Sequence, residues 1–447
     1  MSPLARHVPP GAPRQGTRKS SPTMIGGGAR GADVLVVSPQ VPEFDRAAGC
    51  LRLYLLLQVM AQKYRVKFLG RLDVAGPESQ RYVGALQELG IDVYPAPQVD
   101  VADLAEDVKI CAFFEFYTTA ETALARLRAR RPDLPVIVDT VDVHFVREIR
   151  ALEYSRRSWP ARLRAARRKK RELDVYGKAD LVLAVTETDR AEILRGCPKA
   201  RVAVLPSIHP MHDTVPGFHA RRRNSLLFVG AFAHSPNVDA VLFFCRDVLP
   251  LIEQALRDVE VTIVGHNPPK EIQDLARQGV VIAGWVPELS PLLDSHCVSI
   301  APLRFGAGIK GKIGEAMAAG LPVVTTTVGA EGMGLEHGNT AMIADSPAAF
   351  AEAVVRLCTD ATLHQTLSAS GQRHALQHWG VESVSRQLIE IIEGLGALRP
   401  RSLRATELLA ARASGAYLRS GLRRKIARVE SVATWYGGRI LRRFGRR

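Results

Sequence analysis

Short apolar runs alternate with helical stretches from Val34 to Leu205, stop, and start again at Ser225. Val34–Ser38, Tyr64–Leu69, Ile91–Tyr94, Val108–Phe114, Val136–Asp139, Leu181–Val185 and Arg201–Leu205 read as strands, with Leu51–Gln62 and Ser79–Leu89 as helices between them. Parallel strands need long crossovers, which helices supply, so this rhythm predicts a mostly parallel sheet covered on both faces. At 206–224 it breaks. The segment PSIHPMHDTVPGFHARRRN, with its prolines, histidines and arginine run, has the composition of a domain boundary. The rhythm then resumes with strands at Ser225–Val229, Glu260–Val264, Val280–Ala283, Val298–Pro302 and Val323–Thr325, and helices at Asn237–Leu256 and around Lys312–Ala319. Two doubly wound α/β domains in tandem are expected, at 33–215 and 216–395. Ligands of such folds bind beyond the carboxyl ends of strands, near helix N-termini, so the cleft between the domains is the expected active site.

The 447 residues suffice for two cores without disulfide staples. The six cysteines lack any paired metal or redox spacing, and several lie in apolar runs, so they read as buried, reduced thiols. The net charge of +15 belongs to the ends: residues 1–32 hold +5 and residues 397–447 hold +12, which leaves the body near neutral at −2. That excludes a body that coats nucleic acid. Residues 1–32 read as a disordered basic segment and 396–447 as a basic amphipathic tail. The stretch GGGARG (26–31) has no Lys-Ser or Lys-Thr ending and precedes the first strand, so it is no P-loop. No Gly-x-Gly-x-x-Gly follows that strand, which argues against a dehydrogenase. No run of 18 apolar residues suggests a membrane span, and no apolar signal core opens the chain, so a cytoplasmic protein is expected.

The segment richest in chemistry is APLRFGAGIKGKIGEAMAAGLPVVT (301–325). Gly306, Gly308 and Gly311 permit close backbone approach, Lys310 and Lys312 add two cations, and a helix start adds free amides with about half a positive charge. The combination suits a diphosphate, and Glu315 beyond it suits the diol of a ribose. The same residues also fit a tight strand-to-helix turn with solvated lysines. At the other strand ends, Gly49 precedes the first helix beside Arg52, a residue suited to an anion or to a solvated helix face. Asp139, Asp142 and His144 cluster after VIVD. His209, His212 and His219 lie in the irregular boundary without ligand-like partners, so no metal site is read.

EAMAAGLPVV (315–324) resembles the nucleotide-sugar-binding motif of glycosyltransferase family 4, the group 1 glycosyltransferases, which have the two-domain GT-B fold. LLFVGAF (226–232), VTIVGHNPP (261–269) and VVIAGWVPELSPLLDSHCVSIAPL (280–303) resemble the family's preceding strands in the same order. The resemblance spans about 33–395 and is strongest over 225–345. It implies a nucleotide-sugar site built from Gly49, Gly230, Gly306, Gly308, Ile309, Lys310, Lys312 and Glu315. It implies catalytic roles for Lys310 and Lys312, and for a histidine-like position that either Asp142 or His144 fills. Two departures stand out. The family's first glutamate, which contacts the donor sugar, falls at Ala307. The phosphate-binding Arg and Lys after Phe-Val-Gly are replaced by AFAHSPN (231–237). Lys310 and Lys312 are placed to substitute for those cations.

The resemblance implies transfer of a sugar, with retention, from a UDP- or GDP-type sugar to a glycan or lipid-linked acceptor. It implies no tightly bound cofactor and no metal requirement. A nucleotide-sugar epimerase or a glycosyl phosphorylase would share the fold, and a non-catalytic scaffold for polysaccharide assembly would fit the loss at Ala307. The basic stretches 156–171 and 417–447, edged with Trp and other apolar residues, suit an anionic membrane surface at the inner face of the plasma membrane. No specific nucleic-acid motif accompanies them.

Overall fold

The computed structural model describes residues 32–71, 77–96, 98–155, 159–306, 308–398 and 400–402. The expected disordered segment up to 31, the position of the missing glutamate at Ala307, and the tail from 403 onward lie outside the described residues.

Seven strands form the first sheet: β1 (Val34–Val37), β2 (Val66–Arg71), β3 (Asp92–Ala96), β4 (Cys111–Glu115), β5 (Val136–Asp139), β6 (Leu181–Ala184) and β7 (Val202–Val204), ordered β3-β2-β1-β4-β5-β6-β7. Six form the second: β8 (Ser225–Val229), β9 (Glu260–Val264), β10 (Val280–Gly284), β11 (Val298–Ala301), β12 (Val323–Thr325) and β13 (Met342–Ile343), ordered β10-β9-β8-β11-β12-β13. All pairings are parallel. In each sheet the winding reverses once, between β1 and β4 and between β8 and β11. Ligands of doubly wound sheets bind at that reversal, because the loops after the two strands diverge and leave a crevice.

The helices bury the sheets from both sides. Val36, Leu53, Leu56, Phe68 and Phe113 pack on one face of the first sheet, and Leu35, Phe114, Leu124, Val138 and Tyr176 on the other. Leu226, Phe228, Ile263, Ile300, Phe350 and Leu357 belong to the corresponding core of the second domain. The helix Val381–Gly394 follows the second domain in sequence but buries Val384, Leu388 and Ile392 with Leu53 and Leu56 of the first. The two crossings between domains lie side by side: His209 N donates to Trp379 O at 2.8 Å, with a parallel bridge from His209 to Gly380.

Within the boundary segment, the Arg221 guanidinium is buried and donates to the carbonyls of Leu293 (2.7 Å), His296 (3.0 Å) and Gly320 (3.1 Å). Gly320, at φ 62, follows the helix Gly311–Ala318, so Arg221 satisfies carbonyls at that helix's C-terminal end.

The structure differs from the sequence expectations at three points. The first helix spans Ala48–Lys63, so Ala48 and Gly49 lie inside its first turn and not before it. Helices occur at His144–Ser155 and Trp159–Lys178. The second is rich in arginine and lysine and buries only one narrow stripe, including Ala165, Val175 and Tyr176, so its apolar period is weak. The six cysteines are all free as expected, but Cys50 and Cys245 are only partly buried.

Candidate active site

The first domain contributes the ends of β1, β4 and β5. Beneath the cleft, Arg52 is buried, ion-paired to Asp139, and donates to Leu205 O at 2.9 Å. It is therefore neither an anion contact nor a solvated residue, the two roles the sequence suggests. Ser38 Oγ donates to Glu115 Oε2 at 2.5 Å, while burial, reinforced by Asp139, pushes the Glu115 carboxyl up to about 8. This cluster is the floor of the site.

Above it the backbone is strained. Asp142 N donates to Thr140 O at 2.6 Å around Val141, which sits at φ 57. This three-residue turn is of the rare hand, and a β-branched residue at positive φ is an outlier of the kind found at functional sites. The turn presents Asp142, which is ion-paired to Arg147 and has His144 Nε2 3.0 Å from its Oδ1. Burial raises the Asp142 carboxyl, but His144, Arg147 and His234 outweigh it and hold the group below its ordinary value. His144 opens its helix, with its ring centroid 5.4 Å from that of Phe116 and 5.5 Å from that of Tyr117. The two residues that the sequence leaves as alternatives thus form one pair.

The second domain contributes the loop after β11. Gly306 (φ 151) and Gly308 (φ 71) adopt backbone that side chains avoid, and Ile309 anchors the loop against the cluster around Ile313 and Met317. Lys310 precedes the helix Gly311–Ala318 without a side-chain cap. It is only 7% exposed. Burial pulls its ammonium down to about 8, opposed by Glu331 and Asp189. Lys312 donates to Asn237 Oδ1 and lies 4.5 Å over the Phe228 ring, and burial together with Lys310 brings it down to about 7. Gly230 makes room for that pair, since a Cβ there would stand 2.8 Å from Asn237 Cγ and 2.9 Å from Lys312 Nζ. Lys312 therefore brings its ammonium to the 231–237 loop, which has no cation of its own. Half-buried Glu315, one turn further, has no side-chain partner among the described residues, and burial raises it to about 7.

The halves meet closely. A Cβ on Gly311 would lie 2.8 Å from Ala48 Cβ and one on Gly308 3.0 Å from Asp142 Cβ, while within the first domain one on Gly49 would lie 3.3 Å from Val141 Cγ1. Trp285 Nε1 donates to Asp45 O across the cleft at 3.0 Å. The uncapped N-termini of helices Ala48–Lys63 and Gly311–Ala318 thus converge beside two lysines. Two half-charges and two ammonium groups in this arrangement can attract an anion. Among the described residues, no group of three or more His, Cys, Asp or Glu is arranged to hold a metal ion.

Residues 223–360, which include this loop and both lysines, match the family model described as Glycosyl transferases group 1. That stretch of the chain is therefore similar to the group 1 glycosyltransferases. Over 160 residues it is 27% identical to a 44.6 kDa protein of the cps region of Klebsiella pneumoniae, a match that covers 34% of this chain and 40% of the length of that relative. Its fold is similar to that of sucrose-phosphate synthase from Thermosynechococcus elongatus, with a TM-score of 0.64, 15% identity, and 82% and 99% of the two chains covered. It is also similar to Anabaena HepE in complex with UDP and glucose, with a TM-score of 0.60, 14% identity, and 81% and 100% covered. Staphylococcus aureus TarM, solved in a complex that includes UDP, gives a TM-score of 0.51 at 13% identity over 63% of this chain and 55% of that one. The two facing sheets are those of the GT-B fold.

Beside these candidate residues the structure places others that the sequence alone does not single out. Asn237 lies in the first turn of the helix Ser235–Phe243 as an ordinary polar residue, and only its buried pairing with Lys312 reveals it. His234, Asp189 and Glu331 enter through the electrostatics of Asp142 and Lys310. Arg150 enters through a contact across the domain boundary. None of these has a local sequence signature.

Proposed function

We propose that this protein transfers a sugar, with retention, from a nucleoside diphosphate sugar of UDP or GDP type to a glycan or lipid-linked acceptor. The observation that carries the reading is Lys310: a buried cation between two helix N-termini, without a carboxylate in salt-bridge range among the described residues. Burying an unpaired charge is costly, and a bound diphosphate removes that cost. In this reading Lys310, Lys312 and the amides near Gly49, Gly308 and Gly311 hold the diphosphate, and Glu315 accepts two hydrogen bonds from the ribose diol. Ile309 and Gly306 shape the loop, and Gly230 admits Lys312. The bond from the sugar to the diphosphate breaks as the acceptor oxygen bonds to the same face. The acceptor proton passes to the departing phosphate oxygen, whose growing charge the lysines stabilise. Asp142 and His144 face this centre from the first domain.

Thermal unfolding with a panel of nucleoside diphosphates and their sugars tests the donor site. UDP comes first, because HepE and TarM of the same fold were solved with it. A ligand at 100 times its Kd adds about 2.7 kcal/mol, a clear shift in the thermal midpoint. We expect a shift with one base, lost in Glu315→Ala. No shift with any nucleotide would favour the non-catalytic scaffold, and product formed without acceptor would favour an epimerase.

One observation favours attachment to an anionic membrane surface. Trp159 is 74% exposed and Leu163 is 38% exposed on the basic helix Trp159–Lys178. Arg401 N donates to Asp180 Oδ1 at 2.5 Å, so the described chain leaves the first domain beside that helix's end. Among the described residues no helix is long and apolar enough to cross a membrane. Sedimentation with anionic vesicles should fall several-fold in Trp159→Ser/Leu163→Ser. Equal binding to neutral vesicles would refute the reading.

A further inference from the structure

The glycine loop of the second domain is held by a residue of the first. Arg150 Nη1 donates to Gly306 O at 2.9 Å, and its fork pairs with Glu331 in two contacts, Nη1 to Oε2 at 2.5 Å and Nη2 to Oε1 at 2.8 Å. We infer that Arg150 is a positioning residue, a latch that closes the cleft and sets the register between the Asp142–His144 pair and the Lys310–Lys312 pair.

The latch joins two rigid pieces, one from each domain. Arg150 lies on the helix His144–Ser155, six residues and thus about 9 Å along from His144. On the other side, Gly306 takes a backbone conformation reserved for glycine and gives its carbonyl to Arg150. Two residues on, Gly308 abuts Asp142, and Lys310 follows two residues later. Glu331 is tied to the same loop. Thr326 Oγ1 donates to Leu303 O at 2.5 Å and caps the short helix Thr327–Ala330, which ends beside Glu331. One guanidinium thus spans a helix that begins with one half of the site and a loop that ends in the other. A planar fork fits this three-way contact, and a lysine ammonium does not. Misplacement of reacting groups by about 1 Å costs about 100-fold in rate, so loss of the latch acts on turnover and not on the donor contacts within the second domain.

The inference rests on the proposed donor site, and the test separates the two. Full-length Arg150→Met, Arg150→Lys, Glu331→Gln and the Arg150→Met/Glu331→Gln double variant are compared with the wild type. The readouts are calorimetry with UDP and GDP, nucleotide release from the matching glucose donor, and small-angle scattering. We expect about a 100-fold loss of kcat in Arg150→Met with nucleotide Kd within threefold. We expect less than tenfold recovery in Arg150→Lys, a double variant no worse than Arg150→Met, and a larger radius of gyration in every variant that lacks the arginine. Wild-type kcat in Arg150→Met, full activity in Arg150→Lys, or loss of kcat in step with nucleotide affinity would overturn the latch. A wild type that binds neither nucleotide refutes the donor reading instead. Scattering then still decides the latch: an unchanged radius overturns it, and a larger one supports it.

Discussion

Lys312→Met is expected to lower turnover by about 1000-fold while leaving the thermal midpoint unchanged or higher, and Lys310→Met to do the same. The two effects have opposite signs because they have different causes. Without a ligand both lysines are desolvated, Lys310 with only the longer-range attraction of Glu331 and Asp189 and Lys312 against the repulsion of Lys310, an arrangement that destabilises the fold. Methionine has similar length and no charge, so that cost disappears. In the complex the same charges face the departing diphosphate, where removing one preorganised group costs about 100- to 1000-fold in rate. The pH dependence follows with its own signs. The lysines lose their protons near 7 (Lys312) and near 8 (Lys310), well below the ordinary 10.5. A diphosphate binds the protonated forms, so donor affinity falls as pH rises through this range, and binding at pH 8 takes up protons. Stability runs the other way. Between about 7 and 10.5 the unfolded chain holds protons that the native site has released, so stability from these groups rises with pH. Calorimetry at pH 8 in buffers of different ionisation heat checks the uptake, and Lys312→Met should remove most of it. Methionine variants that lose stability and activity together, or a donor affinity flat from pH 6.5 to 9, would sink this account.

Much of the architecture is written locally. An apolar run followed by a helix is a property of neighbouring residues, and it locates twelve of the strands. β13, only Met342–Ile343, is too short to register. The glycine-lysine loop is equally local, so Lys310, Lys312 and Glu315 stand out by residue type and spacing alone. What is not local is where each of them points. Two residues apart at a helix start, the lysines diverge, one to Asn237 beneath the end of β8 and the other toward Asp189 and Glu331. Arg52 shows the same limit. One turn into an apolar helix it reads as surface or site, and only Asp139, 87 positions away, makes it a buried pin. Arg150 and Glu331 are 181 positions apart and meet only because two domains close on each other. The strain at Val141 has no sequence signature, because valine gives no warning of a positive φ.

Gly311→Ala is expected to cut turnover by about 100-fold without destabilising the protein. Gly311 is the first residue of its helix and does not sit at positive φ, so alanine is permitted there by the backbone and improves helix propensity by up to about 1 kcal/mol. Nothing within the second domain objects to the change. The objection comes from the first domain, where the new Cβ would stand 2.8 Å from Ala48 Cβ. Neither methyl can rotate away, and an ordinary contact needs about 1 Å more, so the domains must part by that amount. Nucleotide binding, carried mainly by Lys310, Lys312 and Glu315 of the second domain with the amides near Gly49 as a smaller contribution, should stay within a few-fold. The companion variant Ala48→Gly supplies the decisive control, since it removes the opposing methyl and leaves Gly311→Ala with open space. Turnover in the double variant should recover at least tenfold over Gly311→Ala alone, although Ala48→Gly by itself weakens its helix by about 0.5–1 kcal/mol. Recovery would show that the two helix starts must touch for the reaction to proceed. A double variant as slow as the single one would mean that Gly311 is needed for the ligand's approach to the backbone and not for closure.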